Sequence, residues 1–170
     1  TPPRSRLHLA YVALDALKGE IVRRHETLRT AFVALDGQPV QVVQAALTLP
    51  LPLLDLSALP AEARAAEWQR WRRAEAERPF DLSCAPLLRV SLMRLSPDEH
   101  VALVTMHHIV SDGWSIGVLV KEVAVLYQAF ADGKASPLPE LPIQYADYAV
   151  WQRERLQGAT MEEDLNYWRA

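Results

Sequence analysis

Apolar residues recur near helical spacing at Leu14, Leu17, Ile21, Val22 and Leu28, which predicts an amphipathic helix over about residues 9–28. A hairpin should follow over residues 29–43: apolar runs at 30–33 and 40–43 flank Asp36-Gly37, a dipeptide suited to a tight turn. The proline-punctuated stretch 50–60 reads as a strand-like connection. Residues 61–78 are dense in Ala, Glu, Arg and Trp and favour a helix that Pro79 would stop, with Trp68 and Trp71 as packing residues. Two strands are expected next, at 87–95 and 99–106. The second contains Val101-Ala102-Leu103-Val104, a continuous apolar run of the kind found in strands buried on both faces. Residues 113–132 form the next predicted helix, with Ile116, Leu119, Val120, Val123 and Leu126 as its buried stripe and Gly133 as its stop. A Pro-rich connector at 137–142 leads to two more helices, near 143–157 and 160–169. Hairpins mixed with helices give an α+β class, or α/β with a mixed sheet flanked by helices.

Composition narrows the function classes. The chain has 170 residues, half of them hydrophobic and 23% charged, enough apolar surface for a packed core. Its formal net charge of -3 is spread along the chain, so no electrostatic footprint for nucleic acid or an anionic membrane is present. No stretch stands out as a membrane-spanning run of roughly 20 apolar residues. A single cysteine, Cys84, excludes an internal disulfide and points to a reducing, cytoplasmic setting. The opening Thr1-Pro2-Pro3-Arg4 has neither an initiator Met nor a signal-peptide core, and the end at Tyr167-Trp168-Arg169-Ala170 falls inside a predicted helix. Both ends therefore look cut from a longer polypeptide.

The strongest chemical signal is His107-His108-Ile109-Val110-Ser111-Asp112-Gly113-Trp114-Ser115, at the junction of the apolar strand and the helix after it. Successive strand residues point to opposite faces, so the two histidines cannot both address one reacting centre if the strand continues through them. On spacing alone the two are equivalent. Histidine suits proton transfer because its unperturbed pKa lies near neutrality. Asp112 could orient an imidazole or a cation, or simply cap the helix. Gly113 would leave room for a substrate or for close backbone packing. Metal ligation is poorly supported, since His8, His25 and His100 sit in unrelated contexts and no Cys pair exists. There is no phosphate-binding Gly-rich loop, no nucleophile elbow and no dinucleotide fingerprint.

The histidine block resembles the HHxxxDG motif of the condensation domains of nonribosomal peptide synthetases, which are related to chloramphenicol acetyltransferase. Two more blocks match that family in the same order. Arg24-His25-Glu26-Thr27-Leu28-Arg29-Thr30-Ala31-Phe32 is similar to its RHExLRTxF motif, and Tyr145-Ala146-Asp147-Tyr148-Ala149-Val150-Trp151-Gln152 to its YxDYAVWQ motif. The resemblance implies a chloramphenicol acetyltransferase-like lobe. Residues 1–170 would be the N-terminal part of a condensation domain, without its first motif or its C-terminal lobe, inactive alone and exposing an apolar lobe interface. It implies that His108 is the catalytic-site residue, facing a tunnel where an acceptor amine meets a donor thioester. Asp112 would be a structural partner in an ion pair with an arginine, Arg29 first and Arg24 second. Gly113 would border the tunnel, and His107 and Trp151 would be architectural, with Trp151 in the core.

The implied reaction is amide formation between a carrier-bound donor thioester and a carrier-bound aminoacyl acceptor, an acyltransferase step in peptide antibiotic biosynthesis. No cofactor would bind directly. Phosphopantetheine would be presented by upstream donor and downstream acceptor carrier domains, with an adenylation domain adjacent. The paired histidines resemble condensing rather than heterocyclising members, and Asp112-Gly113-Trp114-Ser115 condensing rather than epimerising ones. An ester-forming acyltransferase of the same fold, or an idle docking module, are the alternatives.

Overall fold

The computed structural model describes residues 6–169; the opening Thr1-Pro2-Pro3-Arg4 stretch and Ala170 lie outside them. The chain divides into two compact units, one running to Pro139 and the other starting at Glu140.

In the first unit, helix α1 (Arg6–Arg24) ends with Arg23 and Arg24, cations suited to the negative end of the helix dipole. The predicted helix does not run on to residue 28. It breaks at His25, which is extended, and a 3₁₀ turn over Glu26–Arg29 follows. The Thr30 hydroxyl donates to the Glu26 carbonyl at 2.7 Å, and Leu28 N–H to the His25 carbonyl at 3.0 Å. This tighter winding is what brings Leu28 into the core.

Strands β1 (Thr30–Leu35) and β2 (Gln38–Val43) pair antiparallel with Leu35 opposite Gln38. Asp36 and Gly37 make the two-residue turn with φ of 51° and 75°, the doubly left-handed geometry that matches strand twist. Strand β3 (Leu53–Asp55) runs parallel to β4 (Leu88–Arg94), which pairs antiparallel with β5 (His100–Met106). The mixed sheet thus has three strands in the order β3-β4-β5, and the hairpin forms its own two-stranded sheet. Helix α2 (Ala61–Glu77) stops just before Pro79, as the sequence predicts. Its Trp68 and Trp71 are half-buried; Trp68 lines a groove with Leu95 and Val101.

Helix α3 (Gly113–Ala131) packs on α1 and ends at Gly133, whose φ of 70° ends the helix while Lys134 N–H bonds back to the Ala129 carbonyl at 2.8 Å. Leu17, Ile21 and Val22 of α1 meet Leu87, Leu88 and Leu126 in one core. Each such fully buried leucine contributes about 1.5–3 kcal/mol of transfer free energy. In the second unit, α4 (Tyr145–Arg155) starts where the Asp147 carboxylate accepts from Gln144 N–H at 2.8 Å, and α5 (Gly158–Arg169) follows.

Four expectations need correction. The apolar run of β5 is not buried on both faces: Val104 is 44% exposed and Ala102 is exposed. β5 is an edge strand with a partner on one side only, and an apolar gap of about 110 Å³ separates Ala102 and Val104 from Leu14, Leu17, Leu119 and Val123. The stripe of α3 is also displaced, since Ile116 is exposed and Val120 is 61% exposed. Leu119, Val123 and Leu126 of the expected stripe do face the core, joined by Ala129 and by the half-buried carboxylate of Glu122. By length and composition alone α3 could cross a membrane, contrary to the sequence expectation; here it packs on α1 with Leu126 and Ala129 buried and Glu122 paired with Arg24, while most of its surface is exposed. Fourth, Trp151 is not in the core. It is 51% exposed in an aromatic row on α4, 5.7 Å from Tyr148, itself 5.9 Å from Tyr145.

Candidate functional site

The site is built where the mixed sheet ends. β5 stops at Met106, but the ladder is extended by one bond, from His107 N–H to the Leu87 carbonyl at 3.0 Å. The chain then turns into a 3₁₀ segment, His108–Val110. His107 caps that turn: its Nδ1 accepts from Ile109 N–H at 3.1 Å, and its carbonyl accepts from Val110 N–H at 3.1 Å. Val110 is buried and anchors the turn in the core. The two histidines therefore diverge because the strand ends at Met106 and His107 caps the turn that carries His108, not because the strand continues through them.

His107 turns inward against Phe80, ring edge to ring face at 6.1 Å and 83°. His108 is exposed, and its imidazole has no hydrogen-bond partner among the described residues. Chemically it is a lone-pair donor and N–H donor presented from a rigid turn. That arrangement permits proton transfer, amine positioning, or hydrogen bonding to an oxyanion.

Asp112 is the N-cap of α3. Its Oδ1 accepts from Ser115 N–H at 2.8 Å and from the Ser115 hydroxyl at 2.6 Å. The Ser115 hydroxyl and N–H hold its carboxyl below the ordinary aspartate value, and the nearby charge of His108 adds to that. Among the described residues Asp112 forms no ion pair with Arg29 or Arg24. Arg29 bonds Glu26 at 3.1 Å and donates to the Gln44 carbonyl, which ties the 3₁₀ turn to the end of β2. Arg24 bonds Glu122 through Nη2 at 3.1 Å and Nε at 3.3 Å, and donates to the Pro139 carbonyl at 2.7 Å. Asp112 commits its Oδ1 to the Ser115 amide and hydroxyl, while Glu122 offers Arg24 a carboxylate in the α1–α3 seam. His25 shares that carboxylate, with Nε2 2.8 Å from Oε2. Burial opposes ionisation of Glu122 and is the largest single influence on it. The bonds from Arg24 and His25, with their charges, outweigh it and leave the carboxyl below its ordinary value.

The close-packing reading of Gly113 fails as well: a Cβ there would meet nothing within 4 Å. The first and second sequence blocks do come together. A cleft of about 230 Å³ has His25, Thr27 and Leu28 on one side and Val110, Ser111, Trp114 and Ser115 on the other. Neither motif histidine lines it. Trp114 is 85% exposed at the first turn of α3, and the exposed Val118 and Val125 continue that face along the helix. No cluster of His, Cys, Asp and Glu suited to a metal ion occurs among the described residues.

Sequence reasoning missed Glu122 and the neighbours of His107. A glutamate in the middle of an apolar helix was a readable signal for the first. Phe80 and Arg89 carried no local signal at all.

Comparison with known proteins settles the family. A sequence profile of the family described as Condensation domain matches residues 11–170. The chain belongs to the condensation-domain family. It is 49% identical over 162 residues to chondramide synthase of Chondromyces crocatus, covering 95% of this chain and 4% of that protein. To the phosphinothricin tripeptide synthetase PhsC of Streptomyces viridochromogenes it is 50% identical over 155 residues, covering 91% of this chain and 14% of that one. Among solved structures, the X-domain in complex with OxyB from teicoplanin biosynthesis matches with a TM-score of 0.82 and 30% identity, over 98% of this chain and 35% of that one. SgcC5 from Streptomyces globisporus matches with a TM-score of 0.75 and 28% identity, over 92% of this chain and 35% of that one. This condensation-domain chain thus spans about a third of those solved chains, and 4% and 14% of those two curated relatives.

Proposed function

We propose that this chain carries the reacting-histidine side of a condensation domain, and that the complete domain joins a carrier-bound donor acyl group to a carrier-bound amine. The acceptor nitrogen attacks the thioester carbonyl, forming the C–N bond and a tetrahedral oxyanion, and collapse of that intermediate breaks the C–S bond. The amine proton is lost and the departing thiolate is protonated. The substrates arrive on phosphopantetheine arms of partner carrier domains, donor upstream and acceptor downstream, with an adenylation domain alongside. These arms are substrate tethers, and the open space beside Gly113 is compatible with such a chain passing close to the turn.

The observation that carries this reading is the exposed His108 imidazole, presented without a competing partner from a turn that His107 closes and Asp112 follows with a helix cap. His108 handles the proton or holds the amine. His107, Asp112 and Gly113 shape the turn, and Arg24 and Arg29 fix the first block against α3 and β2. Holding two tethered reactants together can supply roughly 7–11 kcal/mol in favourable cases, and a histidine adds about 10²–10⁴-fold.

The test is amide formation by the full-length protein that carries this chain, with loaded donor and acceptor carriers, wild type beside His108→Ala. Product from wild type with a loss of about a hundredfold or more in the variant is expected. Equal rates would reduce His108 to a bystander.

A further inference from the structure

Phe80 packs against His107, and Arg89 stacks on Phe80. Arg89 lies on β4 opposite Thr105 of β5, diagonally next to the position His107 takes at the end of the ladder. Strand alternation puts the Arg89, Thr105 and His107 side chains on one face of the sheet. The Arg89 guanidinium sits over the Phe80 ring, 3.7 Å from its centroid. The guanidinium is itself held by the end of α2: it pairs with the Glu75 carboxylate and donates to the carbonyls of Glu75 at 3.1 Å, Arg78 at 2.8 Å and Pro79 at 3.3 Å. Arg89 thus caps α2 and presses Phe80 into one orientation, and Phe80 presents its ring to His107.

His107 in turn has one job visible in the geometry. Its Nδ1 accepts the Ile109 N–H that closes the turn carrying His108. That bond needs the imidazole in one rotamer, and in the tautomer or protonation state that leaves Nδ1 unprotonated. An aromatic ring against the imidazole restricts the rotamer.

We propose that Phe80, clamped by Arg89, is a positioning residue for His108, acting through the rotamer of His107. The proposal rests on His108 serving the reacting centre. A displacement of about 1 Å at a reacting group can cost on the order of a hundredfold in rate, so a loosened turn should appear in kcat. Neither Phe80 nor Arg89 is proposed to touch a carrier, so KM for the carriers should stay nearly constant.

The test is a double-mutant cycle in the full-length protein with loaded carriers. His107→Asn replaces the ring by a side-chain carbonyl that can still accept from the amide two residues on. Phe80→Leu alone is expected to lower kcat about tenfold or more, with KM changed less than about twofold. His107→Asn should keep activity well above His108→Ala, and adding Phe80→Leu to it should change kcat less than about twofold, because the ring that Phe80 restrains is gone. Equal losses from Phe80→Leu in both backgrounds would overturn the proposal, as would no loss in the wild-type background. So would a His107→Asn enzyme as dead as His108→Ala. Should Phe80→Leu fail to fold, Arg89→Lys takes its place in the cycle, since lysine keeps the charge opposite Glu75 but loses the planar stack. A wild-type rate for His108→Ala would remove the underlying reading and this proposal with it. A large loss there beside a wild-type rate for Phe80→Leu would overturn the proposal alone.

Discussion

The seam between α1 and α3 should be the most sensitive electrostatic element of the first unit, and Glu122→Gln probes it. The Arg24 side chain is 2% exposed and that of Glu122 12%, so neither charge has much access to water. The variant keeps the shape of the side chain and one acceptor oxygen but removes the negative charge. It removes the charge that faces the Arg24 guanidinium, which also donates to the Pro139 carbonyl, and weakens the bond to His25. Removing one partner of a buried ion pair costs about 3–5 kcal/mol. The residual amide oxygen and the partial exposure of Glu122 bring the expectation to the lower end, about 3 kcal/mol. That corresponds to a roughly hundredfold change in an opening equilibrium. Native-state hydrogen exchange in the full-length protein reads it directly: amides at 20–24 of α1 and 119–126 of α3 should lose about two decades of protection, while the β1–β2 hairpin changes little. Arg24→Met combined with Glu122→Leu should recover much of the loss, because a buried pair replaced by apolar groups leaves no stranded charge. Less than about a fivefold change at those amides for Glu122→Gln would refute the reasoning, since it would mean that water or another group already satisfies Arg24.

The pH dependence of the same seam has a fixed sign. The folded carboxyl of Glu122 lies below its ordinary value, so its contribution is present above the unfolded glutamate pKa and is lost as pH falls through the lower folded value. Protection at the seam in wild type, corrected for intrinsic exchange, should therefore fall on acidification below about pH 4.5, and the difference from Glu122→Gln should shrink over that window. Asp112→Asn should retain both the cap and the amide-forming rate within about threefold, because asparagine caps as well as aspartate, whereas Asp112→Ala should lower the rate. If Asp112→Asn were as impaired as Asp112→Ala in the same carrier assay, the charge of Asp112 would matter beyond capping. Gly37→Ala should cost about 1 kcal/mol through its left-handed backbone, seen as faster exchange confined to β1 and β2; an unchanged hairpin would contradict the turn geometry. The 170-residue chain alone should give no amide product with loaded carriers by mass spectrometry, and should bind a hydrophobic dye on the exposed α3 face.

Features set by neighbours in sequence were legible in the chain itself. The Asp36-Gly37 turn, the stop of α2 at Pro79, the stop of α3 at Gly133 and the helix start after Asp112 each depend on a few adjacent residues whose backbone preferences act locally. The condensation family was equally legible, because its three blocks are contiguous strings. What the tertiary structure decided depends on residues far apart in the chain. Arg24 finds Glu122 across 98 positions rather than the aspartate of the histidine block, because helix packing sets the partner and the cap consumes the aspartate. The two histidines separate because β5 ends at Met106, and Phe80 and Arg89 reach His107 only once β4 and β5 are in register. Which apolar residues of α3 and β5 are covered likewise follows from which elements lie beside them. Hydrophobic periodicity says that a face can be buried; only the packed neighbours determine whether it is.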